Sequence, residues 1–288
     1  MTSVRQVEHP ADVRHTLDTW RREGPIGFVP TMGALHAGHA QLMQQARDEC
    51  ARVVVSIFVN PLQFDRADDL ERYPRTLSAD TEACARIGVD LLFLPTVREM
   101  YPMPPACTVD PGPLAAHLCG AHRPGHFRGV ATVVLKLLNI VGTVRAYFGE
   151  KDAQQLAIVR RMAIDFDLPA TIVGVPTVRE ADGLALSSRN VRLNAHERTL
   201  APRLYQALRT ADHLIATGTT DATAVKRAAA GVIGSDQTLR LEYLEIVDPL
   251  DLQPVATIGA PVLVAGALWV GGTRLIDNCQ SAPPSLAR

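Results

Sequence analysis

Two histidines on either side of a glycine form the strongest chemical signal in the sequence. The segment Pro30-Thr31-Met32-Gly33-Ala34-Leu35-His36-Ala37-Gly38-His39 joins an apolar run to the start of an amphipathic helical pattern. Helix starts have unpaired N–H groups and the positive end of the helix dipole, so they bind anions. The glycine lets a phosphate approach the backbone while both imidazoles donate hydrogen bonds to it. The segment therefore predicts a phosphate site in which His36 and His39 stabilise charge on a transferred phosphoryl group.

Two other interpretations of His36 and His39 stay open from this segment alone. Histidines at i and i+3 can ligate a metal, although no third Cys, His or carboxylate lies at a familiar spacing. They can also be loop residues that bind nothing. The order of strand, histidine, glycine, histidine and helix favours phosphate.

A second polar segment, Gly149-Glu150-Lys151-Asp152, follows another apolar run. Lys151 supplies a mobile positive charge for a phosphate. Asp152 could orient that lysine, or reach a ribose or a magnesium-bound water. A surface charge cluster would explain the same residues, so the segment by itself leaves both interpretations open.

A third segment, from Asp182 to Asn190, contains two hydroxyls followed by a guanidinium. Ser187, Ser188 and Arg189 form a compact anion clamp, and a position at a domain junction would let this clamp close over a nucleotide. The alternative is a helix-capping serine beside a solvated arginine.

Gln63 and Gln155 are neutral amides near two predicted strand ends. An amide suits a polyhydroxylated acid because it offers both donors and an acceptor. Arg123 and His126, in a loop, are further candidates.

Five short runs rich in Val, Ile, Leu and Phe alternate with helical patterns over the first 175 residues, and they predict the buried strands of a parallel sheet. These runs are 26–29, 53–59, 91–94, 146–148 and 171–175. The order predicts an α/β fold with a doubly wound, mostly parallel, Rossmann-like sheet. Ligands of such sheets bind outside the carboxyl ends of the strands, where the polar segments described above lie.

The pattern changes after Pro176. An Ala-rich helical region over 196–233 is followed by strand-like runs at 239–247, 261–270 and 273–276. We therefore expect a nucleotide- and acid-binding domain over 1–176, a smaller C-terminal α+β lid domain over 177–280, and a disordered tail over 281–288. The Pro-rich stretch 100–113 is predicted to be a surface loop, and the apolar stretch 130–144 a buried helix.

Composition excludes several classes of protein. A formal net charge of -1 gives no global attraction to nucleic acid or to an anionic membrane. No signal peptide or membrane span is apparent, so the chain is expected to be cytoplasmic. The five scattered cysteines indicate small hydrophobic residues and neither disulfides nor a zinc site. Neither a P-loop nor a Gly-x-Gly-x-x-Gly fingerprint is present.

Taken together and in order, these segments resemble the pantoate–β-alanine ligase (pantothenate synthetase) family of the nucleotidyltransferases with a His-x-Gly-His signature. The resemblance runs from about Val29 to Asn278. The matching segments are Pro30-Thr31-Met32-Gly33-Ala34-Leu35-His36, Phe58-Val59-Asn60-Pro61, Tyr73-Pro74-Arg75, Arg123-Pro124-Gly125-His126-Phe127, Tyr147-Phe148-Gly149-Glu150-Lys151-Asp152 and Ser187-Ser188-Arg189-Asn190.

The resemblance implies an enzyme that condenses (R)-pantoate with β-alanine through a pantoyl adenylate and releases AMP and pyrophosphate. It also implies Mg2+ on the triphosphate, no assigned protein ligand to metal, a homodimer and a cytoplasmic location. Carried onto this chain, the ATP contacts are Met32, Gly33, Ala34, Leu35, His36, Ala37, Gly38, His39, Gly149, Glu150, Lys151, Asp152, Val178, Leu186, Ser187, Ser188 and Arg189. The catalytic set is His39, as proton donor, with His36, Lys151, Ser188 and Arg189. Gln63 would hold pantoate and β-alanine, and Gln155 pantoate.

Two residues depart from the family pattern. Cys119 stands where an acidic residue is common, and Leu186 where a methionine often precedes the two serines. Two rival functions stay open: a nucleotidylyltransferase acting on a phosphorylated acceptor, and a non-catalytic nucleotide sensor. A phosphorylated acceptor would call for basic residues, whereas Gln63 and Gln155 are neutral. A sensor need not keep His36, His39, Lys151 and Arg189 together.

Overall fold

The apolar runs form the strands of two sheets in the computed structural model, which describes residues 4–65 and 67–284. Within these residues the strands are β1 (Arg5–Val7), β2 (Ile26–Thr31), β3 (Arg52–Ile57), β4 (Leu91–Phe93), β5 (Val144–Gly149), β6 (Ala170–Val175), β7 (Leu239–Val247), β8 (Val262–Val270) and β9 (Thr273–Ser281). The α-helices there are α1 (Pro10–Trp20), α2 (Ala37–Glu49), α3 (Ala67–Glu71), α4 (Leu77–Ile87), α5 (Val97–Met100), α6 (Leu118–His122), α7 (His126–Val141), α8 (Ala153–Asp165), α9 (Ala195–Leu200), α10 (Arg203–Ala216) and α11 (Ala222–Ile233).

The first six strands form one parallel sheet in the order β1-β4-β3-β2-β5-β6. The strand order reverses between the adjacent strands β2 and β5. The carboxyl ends of strands at such a reversal flank the crevice where open α/β sheets bind ligands. The His36–His39 segment follows β2, and the segment that begins at Gly149 follows β5.

An apolar cluster holds α2 against this sheet. Met43 and Ala46 of α2 are fully buried beside Val29 and Val55 of the central strands. A Cβ atom at Gly27 of β2 would lie 3.0 Å from the Cβ of Ala46, so the missing side chain lets the helix pack closely on the strand. This packing fixes α2 on the sheet beside β2 and β3.

The three remaining strands form an antiparallel sheet in the order β7-β8-β9. Helices α10 and α11 cover it through a second apolar cluster, which includes Leu208, Ile215 and Val225 of the helices and Val264 and Leu268 of β8. The predicted α/β fold with a C-terminal α+β part is confirmed.

The chain divides into two compact units, each made of several segments. The first consists of Met1–Pro111, Arg123–Glu150 and Ile158–Pro176, and the second of Gly112–His122, Lys151–Ala157 and Thr177–Arg288. The domain ranges given above stay a prediction. Of the expected tail, Ser281 is the last residue of β9, whereas 285–288 lie outside the described residues.

Several element boundaries differ from those predicted. The short strand β1 was not predicted, because two of its three residues are exposed and leave little apolar signal. Helix α7 begins and ends earlier than the apolar stretch suggests, since Gly142 has a positive φ of 69° and ends the helix before β5. Of the cysteines, Cys107 is exposed, which contradicts its expected burial; Cys50, Cys84 and Cys119 are buried.

The close approach of α7 to the short 3-10 helix Pro61–Gln63 gives a first testable prediction. A Cβ atom at Gly129 would overlap the carbonyl of Leu62. Gly129→Ala should therefore force these elements apart and lower the free energy of unfolding by about 1–3 kcal/mol, measured by urea denaturation.

Gly231 in α11 provides the matched control, because a Cβ there meets no atom within 4 Å. Gly231→Ala should leave stability unchanged or raise it by up to about 1 kcal/mol. Equal effects of the two substitutions would contradict the packing argument.

Candidate active site

The two histidines of the turn after β2 cap their own helix reciprocally. Nδ1 of His36 accepts a hydrogen bond from the backbone N–H of Gly38 at 3.1 Å. Nδ1 of His39 accepts one from the backbone N–H of His36 at 3.3 Å. The ring centroids are 4.2 Å apart. Each ring is therefore held in place by the backbone that precedes or begins α2.

These hydrogen bonds determine which ring nitrogen carries the proton. A ring nitrogen that accepts a hydrogen bond has no proton, so in the neutral rings of His36 and His39 the proton lies on Nε2. Each Nε2–H group can donate a hydrogen bond to a phosphate oxygen. The arrangement thus supplies two imidazole donors from one turn.

The same contacts change how the turn can bind an anion. From the sequence, unpaired backbone N–H groups at the helix start are expected to contribute to anion binding. Here the N–H of Gly33 donates to Thr31 Oγ1, and those of His36 and Gly38 donate to the two rings. The imidazoles thus take over the role expected of these amides.

A buried carboxylate that sequence reasoning missed fixes the start of the turn. Asp80, in the first turn of α4 and only 2% exposed, accepts hydrogen bonds from the backbone N–H groups of Ala34 at 3.0 Å and Leu35 at 2.8 Å. Gly33 and Ala34 both have positive φ, 79° and 51°. The side chain of Asp80 therefore holds an uncommon backbone conformation just before the histidines.

Gln63 lies in a network of amide and carbonyl contacts in the same unit. Its Oε1 accepts a hydrogen bond from Asn60 Nδ2 at 3.0 Å, and its Nε2 donates to the sulfur of Met32 at 3.1 Å. His126 Nδ1 donates to the backbone carbonyl of Gln63 at 2.7 Å. Tyr101 donates to Asn60 Oδ1 at 2.9 Å. The Gln63 amide is thus oriented on the side of the turn that contains Met32.

Lys151 belongs to the second unit, where two carboxylates lie near it. Burial lowers the pKa of its ammonium group, while the nearby charges of Asp277 and Asp152 oppose that lowering and Arg189 adds to it. Asn278 Nδ2 donates to the backbone carbonyl of Lys151 at 2.9 Å. Lys151 is thus a confined cation whose charge a bound anion would stabilise.

Asp277, another residue that the sequence did not single out, joins this region to Arg179. The two form a bidentate pair with N–O distances of 2.6 and 3.0 Å, and Asp277 is 5% exposed. The guanidinium of Arg179 lies 4.2 Å from the ring centroid of Tyr205. This pair fixes Arg179, which forms an isolated β-bridge with Ala185 just before the serine segment.

The serine and arginine segment forms a tight turn within the second unit. The backbone N–H of Leu186 donates to the carbonyl of Val178 at 2.9 Å. Ser187 Oγ accepts from the backbone N–H of Arg189 at 3.2 Å, and Ser188 lies between them. Asn190 Nδ2 donates to the carbonyl of Ala185 at 3.1 Å. Side chains and backbone together therefore fix the loop that presents Ser188 and Arg189.

Asp152 and the glutamines after it have different surroundings. Asp152 Oδ1 accepts from the backbone N–H of Gln155 at 3.2 Å and so caps the start of α8. The buried Gln154 amide donates to the carbonyls of Leu114 and His117, both at 2.8 Å. Gln154 is thus a structural residue.

The departure at Cys119 lies in a buried polar cluster of the second unit. Its Sγ is 3.1 Å from the hydroxyl of Tyr243 and 3.5 Å from Nη2 of Arg274. Arg274 forms an ion pair with Glu242 at 2.5 Å. Glu242 thus supplies the carboxylate partner of Arg274 next to Cys119.

The described residues contain neither a cluster of metal-ligating side chains nor a helix that could span a membrane. No group of three or more His, Cys, Asp or Glu side chains in that part of the chain is arranged to hold a metal ion. None of its helices combines the length and apolar character needed to span a bilayer.

Comparison with known proteins gives the family. The family described as pantoate-beta-alanine ligase matches residues 5–280. Pantothenate synthetase of Heliobacterium modesticaldum is 53% identical over 89% of this chain and 92% of its own length. The bifunctional pantoate ligase/cytidylate kinase of Thermosynechococcus vestitus is 52% identical over 97% of this chain, which spans only 55% of that relative.

Two solved structures share the fold. The crystal structure of pantothenate synthetase from Thermus thermophilus has a TM-score of 0.91 and 48% identity, and the match covers 97% of this chain and 100% of that one. Pantoate-beta-alanine ligase from Francisella tularensis, solved in complex with beta-gamma ATP and beta-alanine, has a TM-score of 0.79 and 34% identity, over 96% and 97% of the two chains. The chain therefore belongs to the pantoate–β-alanine ligase family, as the sequence motifs predicted, and it is an enzyme of that kind.

Proposed function

We propose that the chain joins (R)-pantoate to β-alanine at the expense of ATP, with pantoyl adenylate as intermediate and AMP and pyrophosphate as products. The observation that carries the proposal is the reciprocal capping of His36 and His39, which places the proton of each ring on Nε2, the form that donates to a phosphate oxygen. The family relationship and the nucleotide and β-alanine bound by the Francisella tularensis relative support it.

The chemistry demands alignment more than proton abstraction. The pantoate carboxylate is ionised at neutral pH and attacks the α-phosphorus of ATP, so no strong base is needed. The enzyme has to bring two anions together and stabilise the charge that develops on the phosphoryl group. Donors and cations that are already in place can do this without reorganisation during the reaction.

We assign that task to the imidazoles, cations and hydroxyl that the family resemblance indicates. His36 and His39 donate to phosphate oxygens, and the proton-donor role assigned to His39 fits its Nε2–H. Lys151 and Arg189 supply positive charge, and Ser188 a hydroxyl. The remaining nucleotide contacts are those that the resemblance assigns: Met32, Gly33, Ala34, Leu35, Ala37, Gly38, Gly149, Glu150, Asp152, Val178, Leu186 and Ser187.

Gln63 and Gln155 are proposed to bind pantoate, and Gln63 also β-alanine. A neutral amide binds hydroxyl and carboxylate oxygens without adding charge. The fixed orientation of the Gln63 amide by Asn60 supports this assignment, because a preordered amide loses less entropy on binding.

Three further properties are proposed on the family relationship. Mg2+ would enter with the triphosphate and offset part of its negative charge. The enzyme is a homodimer, and it works in the cytoplasm.

A product assay tests the reaction. Protein incubated with ATP, Mg2+, D-pantoate and β-alanine should form AMP, pyrophosphate and pantothenate in equal amounts. His39→Ala and Lys151→Ala should each lower turnover by about 10²- to 10³-fold while the protein remains folded by circular dichroism. Formation of ADP, or of AMP only with a phosphorylated acceptor, would contradict the proposal.

Gly38 offers a test of the histidine geometry. A Cβ at this position would lie 2.8 Å from Cε1 and 3.0 Å from Nδ1 of His36, so Gly38→Ala should displace the ring. We expect a loss of about 10²-fold in kcat/KM for ATP. Thermal stability should fall little, because alanine favours a helix.

The matched control is again Gly231→Ala, which should keep wild-type kinetics. If Gly38→Ala also keeps them, the His36 ring does not need its observed position.

The lowered pKa of Lys151 predicts a pH dependence. The ammonium form is the active one, so activity should fall as pH rises through a pKa below the ordinary lysine value of about 10.4. Pyrophosphate–ATP exchange with pantoate alone measures this, because it avoids the titrating amine of β-alanine. The guanidinium of Lys151→Arg stays charged, so its residual activity should lack this alkaline decline. An unchanged decline would assign it to another group.

A further inference from the structure

The turn that carries the two histidines contains an anion of the protein itself. Asp80 offers both carboxylate oxygens to successive backbone N–H groups, Oδ1 to Leu35 at 2.8 Å and Oδ2 to Ala34 at 3.0 Å. Oδ2 also accepts a hydrogen bond from Thr76 Oγ1 at 3.2 Å. Successive N–H groups in a turn with positive φ form a concavity that binds anions. In this protein that concavity is filled by Asp80.

Asp80 holds the backbone in a conformation that alanine rarely adopts. Ala34 has φ 51°, next to Gly33 with φ 79°. A left-handed conformation is sterically unfavourable for a non-glycine residue, so some interaction has to stabilise it. Two charge-assisted hydrogen bonds to a carboxylate that is 2% exposed supply that interaction.

The geometry of the turn connects Asp80 directly to the rings. The peptide N–H that Oδ1 holds belongs to Leu35, the residue before His36. The next N–H, that of His36, donates to the His39 ring, and that of Gly38 donates to the His36 ring. A rotation of the peptide between Leu35 and His36 would therefore move the His36 N–H, which donates to the His39 ring. It would also move the His36 ring, which accepts from Gly38.

We infer that Asp80 is a positioning residue for catalysis: it fills the anion-binding concavity of the turn and thereby holds His36 and His39 with their Nε2–H groups directed to the nucleotide. The inference rests on the proposed function for its kinetic consequence. Its structural part, the protonation pattern of the two rings, is independent of what reaction the enzyme performs. Asp80 itself touches no substrate in this mechanism.

Asp80→Asn is the informative variant, because the amide keeps the shape of the side chain but has one acceptor oxygen. Its NH2 group would face one of the two backbone N–H donors. We expect the turn to change conformation and kcat for pantoyl adenylate formation to fall by about 10²-fold, measured by pyrophosphate–ATP exchange at saturating ATP.

Asp90, which directly precedes β4 at the amino ends of the strands, provides a matched control. It is a largely buried carboxylate, 17% exposed, that accepts from the backbone N–H of Val53 at 2.7 Å and pairs with Arg47 and Arg52. Asp90→Asn should lower stability to urea at least as much as Asp80→Asn does, and should leave kcat unchanged.

A spectroscopic measurement separates positioning from a general loss of structure. In 15N-histidine-labelled protein without ligand, long-range 1H–15N spectra should show Nε2–H rings for His36 and His39, assigned with His36→Gln and His39→Gln. In Asp80→Asn these two signals should move toward the tautomer mixture of a mobile ring, whereas Asp90→Asn should retain the wild-type pattern.

The outcomes distinguish the inference from the proposed function. Unchanged histidine signals in Asp80→Asn would overturn the inference, whether or not activity falls. Altered signals with wild-type kcat would overturn its catalytic part. If the signals change as expected but the wild-type protein forms no pantothenate, the proposed reaction fails while the positioning of the rings by Asp80 stands.

Discussion

The interaction on which the site depends is the pair of hydrogen bonds between the rings of His36 and His39 and the backbone of their own helix start. Each ring accepts with Nδ1 and so has its proton on Nε2. Many helix starts bind anions through backbone amides, but here the amides of His36 and Gly38 are used to orient side chains. An imidazole donor projects farther from the helix than a peptide N–H. Its hydrogen bond to the backbone also fixes both its position and its tautomer.

Each unit also contains a buried carboxylate close to the proposed functional residues. A buried carboxylate, Asp80, lies behind the histidine turn, and another, Asp277, lies among Lys151, Arg179 and the serine loop. A buried carboxylate is costly unless hydrogen bonds satisfy it, and both are well satisfied. A chain of near-neutral net charge thus contains local charged groups whose positions are fixed by buried hydrogen bonds.

Much of the fold and the choice of segments could be predicted from sequence, for a physical reason. The runs that became β2, β3 and β5 are apolar because both faces of a parallel strand are buried, and the polar segments after them follow from where such sheets bind ligands. The supporting residues could not be found in this way. In sequence, Asp80 looks like the many acidic residues that lie on solvated helix faces. It is buried because it lies on the same packed face of α4 as Cys84, one turn later. Asp277 and Asn278 lie on a C-terminal strand far from Lys151 in sequence, so only the folded chain brings them together.

The segmented composition of the two units has a consequence for how the chain folds. Two short segments that precede Pro176, Gly112–His122 and Lys151–Ala157, belong to the second unit. There Leu118, Ala153 and Ala157 pack with Val247 and Leu263 in one apolar cluster. Since the chain passes repeatedly from one unit to the other, neither core is complete until residues distant in sequence have been made and recruited. A fragment cut at Pro176 would therefore expose the apolar side chains of Leu118, Ala153 and Ala157, which Val247 and Leu263 normally cover.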